Sequence, residues 1–419
     1  MLTKEMELSE FDRLSDLSDD LLLHIMCFLT VRQAVNTCIL SKRWRNLWRY
    51  LPCLHFDAYD DENFIQFITS FFRIRSNCNI DTFRLHWITT NHCWKPLVNR
   101  VLELHPRVLS IKSGEFLLSS WRKMHANSVF TCTSVEEMEL DDIFLPRKTP
   151  VTLFNLKRLN LARMKLVGTS VNNLISGCPV LEDLVIENCH FSIPNVTIVS
   201  HNLKNLSIDD CEYIGKVEIH LSLPSLVSLH VTAVMLGRIW LKNMSSLVKV
   251  HMKFSYWVCA NYLDSHNELL SCLSTATYIE LIEPRIPKSE LGLCCGSPVK
   301  DLLVKELPNC SAFANLMSLY LGESNMCEFF SPISQLVHLA PNLKTIKFVH
   351  EEEMTFSGTN AFIASATGNV VFLVGSMPVT IPFAQVIEAV KLSKPPAIIA
   401  RNKRGSTTGG TVPPGFGFA

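Results

Sequence analysis

Along the middle of the chain, apolar residues occupy the first, fourth and sixth places of a short pattern whose other places are mostly polar. It stands at Ile80-x-x-Phe83-x-Leu85, Leu156-x-x-Leu159-x-Leu161, Leu181-x-x-Leu184-x-Ile186, Leu203-x-x-Leu206-x-Ile208 and Leu226-x-x-Leu229-x-Val231. It returns at Leu247-x-x-Val250-x-Met252, Leu316-x-x-Leu319-x-Leu321 and Leu343-x-x-Ile346-x-Phe348, with weaker copies near Ile111, Leu140 and Leu281. The alternation predicts one short strand per copy, with apolar side chains on one face and polar ones on the other. From Leu156 the copies recur at offsets of roughly 21 to 25 residues, the mark of a stacked repeat array. A single unit cannot bury its apolar face, so neighbours must cover it. Beyond Leu247 the spacing stretches, and inserted loops are expected there.

The first fifty residues follow a helical period instead. Ser18 is placed to cap a helix whose first turn holds Asp19 and Asp20, where carboxylates suit the helix dipole; Leu21, Leu22, Ile25, Met26 and Leu29 then recur on one face. Thr30 and Gln33 have the spacing of a capping box, opening a second helix whose apolar side is Val31, Ala34, Val35 and Cys38. Ser41 is expected to cap a third helix in which Trp44, Leu47 and Trp48 share a face, while Lys42, Arg43, Arg45 and Arg49 point elsewhere and Pro52 prevents continuation. Helices this small cannot close a large core, and their density of Leu, Ile and Trp implies a partner.

Between repeat strands, Val171, Leu174 and Ile175 predict a helix over 169–177, with Gly177 as its left-handed end before Pro179. Cys189 and Cys211 each follow the last strand apolar residue by three places, where a thiol is expected to satisfy backbone groups of the turn. After Glu351-Glu352-Glu353 the pattern fades, and 362–391 reads as a closing strand and short helix. From Lys394 the composition is that of a solvated, disordered tail.

Composition narrows the function. The chain has 419 residues, 47% hydrophobic and 19% charged, and Lys+Arg and Asp+Glu both total 39, so no overall field draws it to nucleic acid or to an anionic membrane. The first ten residues are mixed polar, without a secretory signal, and no apolar run approaches the ~20 residues of a membrane-crossing helix. The expectation is an intracellular protein of the cytoplasm or nucleus whose 15 cysteines are reduced thiols. Cys-x-x-Cys, His-Glu-x-x-His, phosphate-loop and Gly-x-Ser-x-Gly patterns do not occur, so no catalytic residue, metal or cofactor is predicted.

The stretch from Asp12 to Trp48 resembles the F-box of plant F-box proteins. It matches, in order, the Asp-Arg-Leu-Ser opening, the Asp-Asp-Leu-Leu helix, the Gln-Ala-Val turn and Leu-Ser-Lys-Arg-Trp-Arg-Asn-Leu-Trp. Leu-Ile-Ser-Gly-Cys-Pro-Val-Leu-Glu-Asp-Leu and Leu-Ala-Pro-Asn-Leu-Lys-Thr-Ile are likewise similar to repeats of the plant F-box/leucine-rich-repeat family. That resemblance implies an α+β, α/β-repeat fold: a three-helix F-box followed by an irregular leucine-rich-repeat horseshoe solenoid. The expected division is an N-terminal tail (1–10), F-box (11–55), connector (56–79), solenoid (80–355), C-terminal cap (356–392) and disordered tail (393–419).

The resemblance further implies a non-catalytic, substrate-recognition subunit of an SCF-type (cullin-RING) ubiquitin ligase. The F-box would dock a Skp-family adaptor, and through it a cullin, by Leu14, Leu17, Ser18, Leu22, Ile25, Leu29, Val35, Leu40, Ser41 and Trp44. Two positions depart from the family pattern: Leu17-Ser18 stands where Leu-Pro is usual, and Thr30 where Pro commonly follows the first helix. The polar places of the repeat strands would line a concave face for an unknown target protein: Arg158, Asn160, Asp183, Glu187, Asn205, Ser207, Asp209, His230, Lys249, His251, Lys253, Tyr320 and Lys347. Along that face an acidic step at Asp183, Glu187 and Asp209 gives way to a basic one at Lys249, His251 and Lys253, suiting a partner of opposite polarity. The alternative is a repeat scaffold or receptor that binds a protein without ubiquitin transfer.

Overall fold

The computed structural model describes residues 14, 16–58, 64–87, 94–113, 127–143, 145, 150–166, 170–192, 195–213, 218–234, 238–254, 269–282, 298–322 and 330–349, and the backbone of 362–365, 369–374 and 377–382. The expected tail and most of the expected cap lie outside them.

Helix α1 (Asp19–Met26) starts where the Ser18 hydroxyl accepts the Leu21 N–H, and α2 (Val31–Asn36) where Thr30 and Gln33 form both halves of the capping box. The third helix differs from expectation. Ser41 does not cap it: Lys42 and Arg43 form a turn, and α3 (Trp44–Leu47) is a single turn flanked by 3₁₀ segments at Thr37–Ile39 and Trp48–Tyr50. With so few backbone bonds of its own, α3 is held by packing, and Trp44 and Leu47 are buried with Leu22, Met26, Val31 and Ala34.

The chain then enters a 15-stranded sheet. Its strands, in spatial and chain order, are β1 (Cys53–Ala58), β2 (Thr82–Trp87), β3 (Val108–Ser113), β4 (Glu137–Asp141), β5 (Arg158–Ala162), β6 (Asp183–Glu187), β7 (Asn205–Asp209) and β8 (Ser228–Val234). They continue as β9 (Lys249–Phe254), β10 (Tyr278–Ile282), β11 (Ser318–Gly322) and β12 (Thr345–Val349). From β1 to β12 every neighbouring pair is parallel, and three antiparallel strands follow, β13 (Phe362–Ser365), β14 (Asn369–Val374) and β15 (Met377–Pro382). Every strand predicted from the apolar pattern is present. β1 extends the sheet into residues that the sequence division gives to the F-box and connector.

That connector holds α4 (Phe64–Ile74), with α5 (Trp94–Leu102) in the next crossover. Phe71 of α4 lies 5.5 Å, ring to ring, from Trp48 and 5.6 Å from Phe56 of β1, joining the N-terminal helices to the sheet in one apolar core. Buried Arg75 ends α4 by donating to the carbonyls of Leu51 (2.9 Å), Ser76 (2.8 Å) and Cys78 (2.9 Å); burial lowers its pKa.

The strand exits repeat one device. Asp142, Arg163, Asn188 and Asp210 each follow a strand with φ between 44° and 54°, and the first three donate their N–H to Ala162, Glu187 and Asp209 of the next strand. Asn and Asp tolerate this left-handed backbone; Arg163 does so while its guanidinium pairs with the largely buried Asp141. Burial raises Asp141 to about 6 against the opposing pull of Arg163. One place further on, the Cys189 thiol accepts the Met164 N–H and donates to the Leu161 carbonyl, both at 3.4 Å, and the Cys211 thiol donates to Ile186 and Asp209. The expected role of these cysteines is met.

The expected helix is α6 (Ser170–Ser176). Gly177 has no left-handed φ; a Cβ there would lie 2.4 Å from the Val151 carbonyl oxygen, so close approach is what requires glycine. In the following repeats the place of α6 is taken by parallel strands at Asn195–Val199, Glu218–Ser222 and Arg238–Lys242, where Val196, Ile198, Ile219 and Ile239 favour strand over helix.

Candidate functional site

Two surfaces stand out. The first is the outer side of the N-terminal helices, where α1 divides its apolar residues between two faces: Leu22 and Met26 are buried, whereas Leu21 and Ile25 are exposed. The single apolar face expected from sequence is therefore two. Leu21, Ile25 and Phe28 are spaced as one helical stripe, and Phe28 is 78% exposed. Leu14, Ile39 and Leu40 are also exposed, Ile39 at 84%.

Of the residues predicted to meet an adaptor, Leu14, Ile25 and Leu40 are exposed, and Ser18 lies at the surface as the α1 cap. Leu17, Leu29 and Val35 are half-buried against the core, Ser41 is half-buried, and Leu22 and Trp44 lie inside and support the surface from behind. Leu21, Phe28 and Ile39 were not among those predicted, although the Leu21–Ile25–Phe28 spacing carried the signal. Of the basic residues expected to point away, Arg43 reaches Asp19 at 2.6 Å and Arg49 donates to the Ile74 carbonyl at 3.0 Å.

The second surface is the open face of the sheet. Parallel pairing brings alternate residues into rows, and one row runs Glu139, Asn160, Val185, Ser207, His230, His251, Glu280, Tyr320, Lys347. A flanking row places Arg158, Asp183, Asn205, Ser228, Lys249 and Tyr278 side by side, and Glu187 faces Asp209 in a third. Lys253 pairs in register with Ile282.

At the acidic end the charges are engaged. The Arg158 guanidinium bonds Glu137, Lys112 reaches Glu139 at 2.7 Å, the Asn205 amide donates to Asp183, and Asp209 accepts from the Thr232 hydroxyl.

From β8 to β11 the face becomes aromatic. The His230 and His251 rings stack at 4.2 Å with 4° between planes; His251 Nδ1 lies 3.0 Å from Glu280 Oε2, and the Tyr278 hydroxyl donates to the same oxygen at 2.8 Å. The Tyr278 and Tyr320 rings lie 4.8 Å apart. The His251 bond, followed by that of Tyr278, holds the Glu280 carboxyl below its ordinary pKa; burial and then the neighbouring His251 push His230 down; burial and the bond to Glu280 push Tyr278 up. Tyr278 and Glu280 were not predicted; the weak repeat at Leu281, which they precede on the same strand, was the available signal. Glu280 also interrupts the expected basic step.

Among the described residues no group of three or more His, Cys, Asp or Glu is placed to hold a metal ion, and no helix is long and apolar enough to cross a membrane.

Comparison with known proteins decides what these surfaces belong to. Residues 14–56 match the F-box domain, and residues 111–252 match the leucine-rich repeats of the FBD-associated F-box protein At5g56370. The chain thus carries an F-box match followed by a leucine-rich-repeat match and is similar to plant F-box/leucine-rich-repeat proteins. It is 35% identical over 233 residues to a putative FBD-associated F-box protein, At5g56390, covering 51% of this chain and 52% of the relative. It is 29% identical over 266 residues to the F-box/FBD/LRR-repeat protein At1g80470 (59% and 56% covered) and 31% identical over 216 residues to the F-box/LRR-repeat protein At1g55660 (47% and 58% covered). All three are from Arabidopsis thaliana, and the chain spans little more than half the length of each. The exposed stripe on α1 thus lies in the F-box, and most of the sheet's open face lies in the repeats.

Proposed function

We propose that this F-box/LRR chain is the non-catalytic, substrate-recognition subunit of an SCF-type ubiquitin ligase. A three-helix F-box docks a Skp-family adaptor, and through it a cullin, while a horseshoe of repeats presents its concave face to a target protein in the cytoplasm or nucleus. Holding the target's lysines near the charged ubiquitin carrier raises their effective concentration, which is the contribution such a subunit makes. The observation that carries the reading is the Leu21–Ile25–Phe28 stripe, exposed within a matched F-box that is too small to leave it without a function. Co-purification with a recombinant Skp-family adaptor tests it: the wild-type chain is captured, and an Ile25→Asp/Phe28→Asp variant is not. A wild-type chain that captures no adaptor favours the repeat scaffold without ubiquitin transfer.

A further inference from the structure

Two pairs of cysteines are hydrogen-bonded thiol to thiol, and their surroundings differ. Cys189 and Cys211 are buried in neighbouring strand exits, and both thiols also bond backbone carbonyls. Cys27 and Cys53 are half-buried, and the Cys27 sulfur meets Cys53 twice, through the Cys53 thiol and through the Cys53 N–H that donates to it. Cys27 closes α1, its own N–H donating to the carbonyls of Leu23 at 3.0 Å and His24 at 3.2 Å. Cys53 opens β1, the first strand of the 15-stranded sheet, and pairs in register with Thr82 of β2. The two sulfurs therefore meet where the N-terminal helices join the sheet.

The members of this pair are chemically unequal. The hydrogen bond from the Cys27 thiol pulls Cys53 down to about 7 and pushes Cys27 up, and burial opposes the first shift and adds to the second. Of the charged neighbours, Asp81 acts against the Cys53 thiolate and Arg84 in its favour. Near neutral pH a large share of Cys53 is thus thiolate, with a protonated thiol already against it. A thiolate of this kind attacks an electrophilic oxygen, and a second thiol within hydrogen-bond reach resolves the sulfenic acid that forms.

We propose that Cys27 and Cys53 are a site of reversible oxidation by hydrogen peroxide, closing to a disulfide that ties the end of α1 to β1. The Cys53 thiolate attacks one peroxide oxygen: an S–O bond forms, the O–O bond breaks, and the hydroxide released takes up a proton and leaves as water. The Cys27 sulfur then attacks the Cys53 sulfur: an S–S bond forms, the S–O bond breaks, and the hydroxyl leaves as water with the Cys27 proton. Two thiols and one peroxide give one disulfide and two waters, the two electrons passing from sulfur to the peroxide oxygens. Once Cys53 carries no charge, the chief cause that pushes Cys27 up is gone, which eases the second step. A small dithiol reverses the reaction by exchange. The closed loop encloses α2 and α3, so the bridge stabilises the joint by restricting the unfolded chain. This inference goes beyond the ligase reading and is tested without an adaptor, so each stands or falls alone.

The full chain, reduced and freed of reductant, is treated at neutral pH with a small molar excess of hydrogen peroxide, blocked with N-ethylmaleimide and mapped by mass spectrometry without reduction. A peptide pair linked through Cys27 and Cys53 is expected before any disulfide of Cys189 or Cys211, and is expected to vanish after dithiothreitol. The bridged protein should unfold several degrees above the reduced one. Cys27→Ser is expected to stop at a Cys53 sulfenic acid that dimedone traps, with no rise in the thermal midpoint, and Cys53→Ser to leave Cys27 open to maleimide. The wild-type map needs no variant and decides the bridge by itself. A wild-type Cys53 sulfenic acid that never bridges, earlier oxidation of Cys189 or Cys211, or a bridge that leaves the midpoint unchanged overturns the proposal.

Discussion

Cys189 binds the backbone of the preceding repeat through Met164: its Sγ accepts the Met164 N–H at 3.4 Å and donates to the Leu161 carbonyl at 3.4 Å, in a turn interior without access to water. Stacking parallel strands in register leaves the Met164 N–H, beyond the end of β5, without a ladder partner, and the thiol supplies one. Cys189→Ala removes both bonds and leaves the buried Met164 N–H without its partner, a loss of about 1–3 kcal/mol. Cys189→Ser is expected to recover part of it, because a hydroxyl can serve both groups. Urea unfolding of the two variants checks this; equal midpoints would mean that the thiol acts only by filling space.

The same burial makes Cys178 and Cys189 chemically inert, whereas Cys53 is set apart. Burial pushes the Cys178 thiol up to about 12, and a hydrogen bond with Cys211 together with burial pushes Cys189 up as well. Cys53 is half-buried at the start of β1 and is pulled down to about 7, chiefly by its hydrogen bond with Cys27. Since the thiolate is the nucleophile, iodoacetamide at neutral pH is expected to modify Cys53 in the native protein well before Cys178 or Cys189. Peptide mapping by mass spectrometry reads the order, and early labelling of Cys189 would contradict the burial seen in the turn.

Gly177 gives a packing prediction. A methyl group at this position would lie 2.4 Å from the Val151 carbonyl oxygen and 2.6 Å from the Val151 Cβ, and a backbone oxygen cannot rotate out of the way. Gly177→Ala is therefore expected to destabilise by about 1–3 kcal/mol as the two segments separate, even though alanine favours helix. The neighbouring Ser176→Ala, at an exposed position, is the control and should lie within about 0.5 kcal/mol of wild type in urea unfolding.

How much of this was readable in advance depends on where the determinant lies. Strands set by alternation were legible, including the irregular ones ending near Ile282 and Val349. β1 obeys the same rule at Leu51-x-x-Leu54-x-Phe56, but it follows the third helix so closely that it reads as the end of the helical unit. Likewise Phe64, Phe67, Ile68 and Phe71 are helically spaced in a segment that, taken as a connector, concealed α4. The pairing of His230 with His251 follows from their equivalent places in two repeats, but the place of Glu280 in that row depends on how β9 and β10 align across an insertion of unequal length, for which the weak repeat at Leu281 was the one signal. Trp44 is buried among the N-terminal helices with Leu22, Met26, Val31 and Ala34, whereas sequence resemblance placed it on the docking surface.

That burial separates two substitutions in the F-box. Trp44 is 5% exposed, and Trp44→Ala is expected to cost about 3–5 kcal/mol and to lower adaptor capture through unfolding. Ile25 is 39% exposed, so Ile25→Asp should leave the thermal midpoint near that of wild type while abolishing capture. Thermal unfolding beside adaptor pull-down distinguishes the two effects. If Ile25→Asp is captured normally, the docking surface lies elsewhere on the helices.

The stacked imidazoles predict how stability follows pH. In the folded protein His230 titrates below its ordinary value of 6.5, first because burial disfavours the imidazolium and next because His251 stands against it. The unfolded chain therefore takes up the proton first as pH falls, and proton uptake by the unfolded state lowers stability. The contribution of His230 is constant above 6.5, declines as pH falls through 6.5, and levels off below its lowered folded value. Glu280 acts in a separate and more acidic window: its folded pKa lies below 4.5, so the stability it contributes is present above 4.5 and is lost as pH falls through the folded value. Urea unfolding at pH 7.5, 6.5 and 5.5, read as the difference between wild type and His230→Gln, separates the histidine from Asp141, whose raised value of about 6 acts in the same range with the opposite sign. Wild type is expected to lose stability relative to His230→Gln, which cannot take up the proton, as pH falls across this range. An imidazole midpoint for His230 at or above 6.5 by NMR, or an identical pH slope in His230→Gln, would remove the stacked pair as the source.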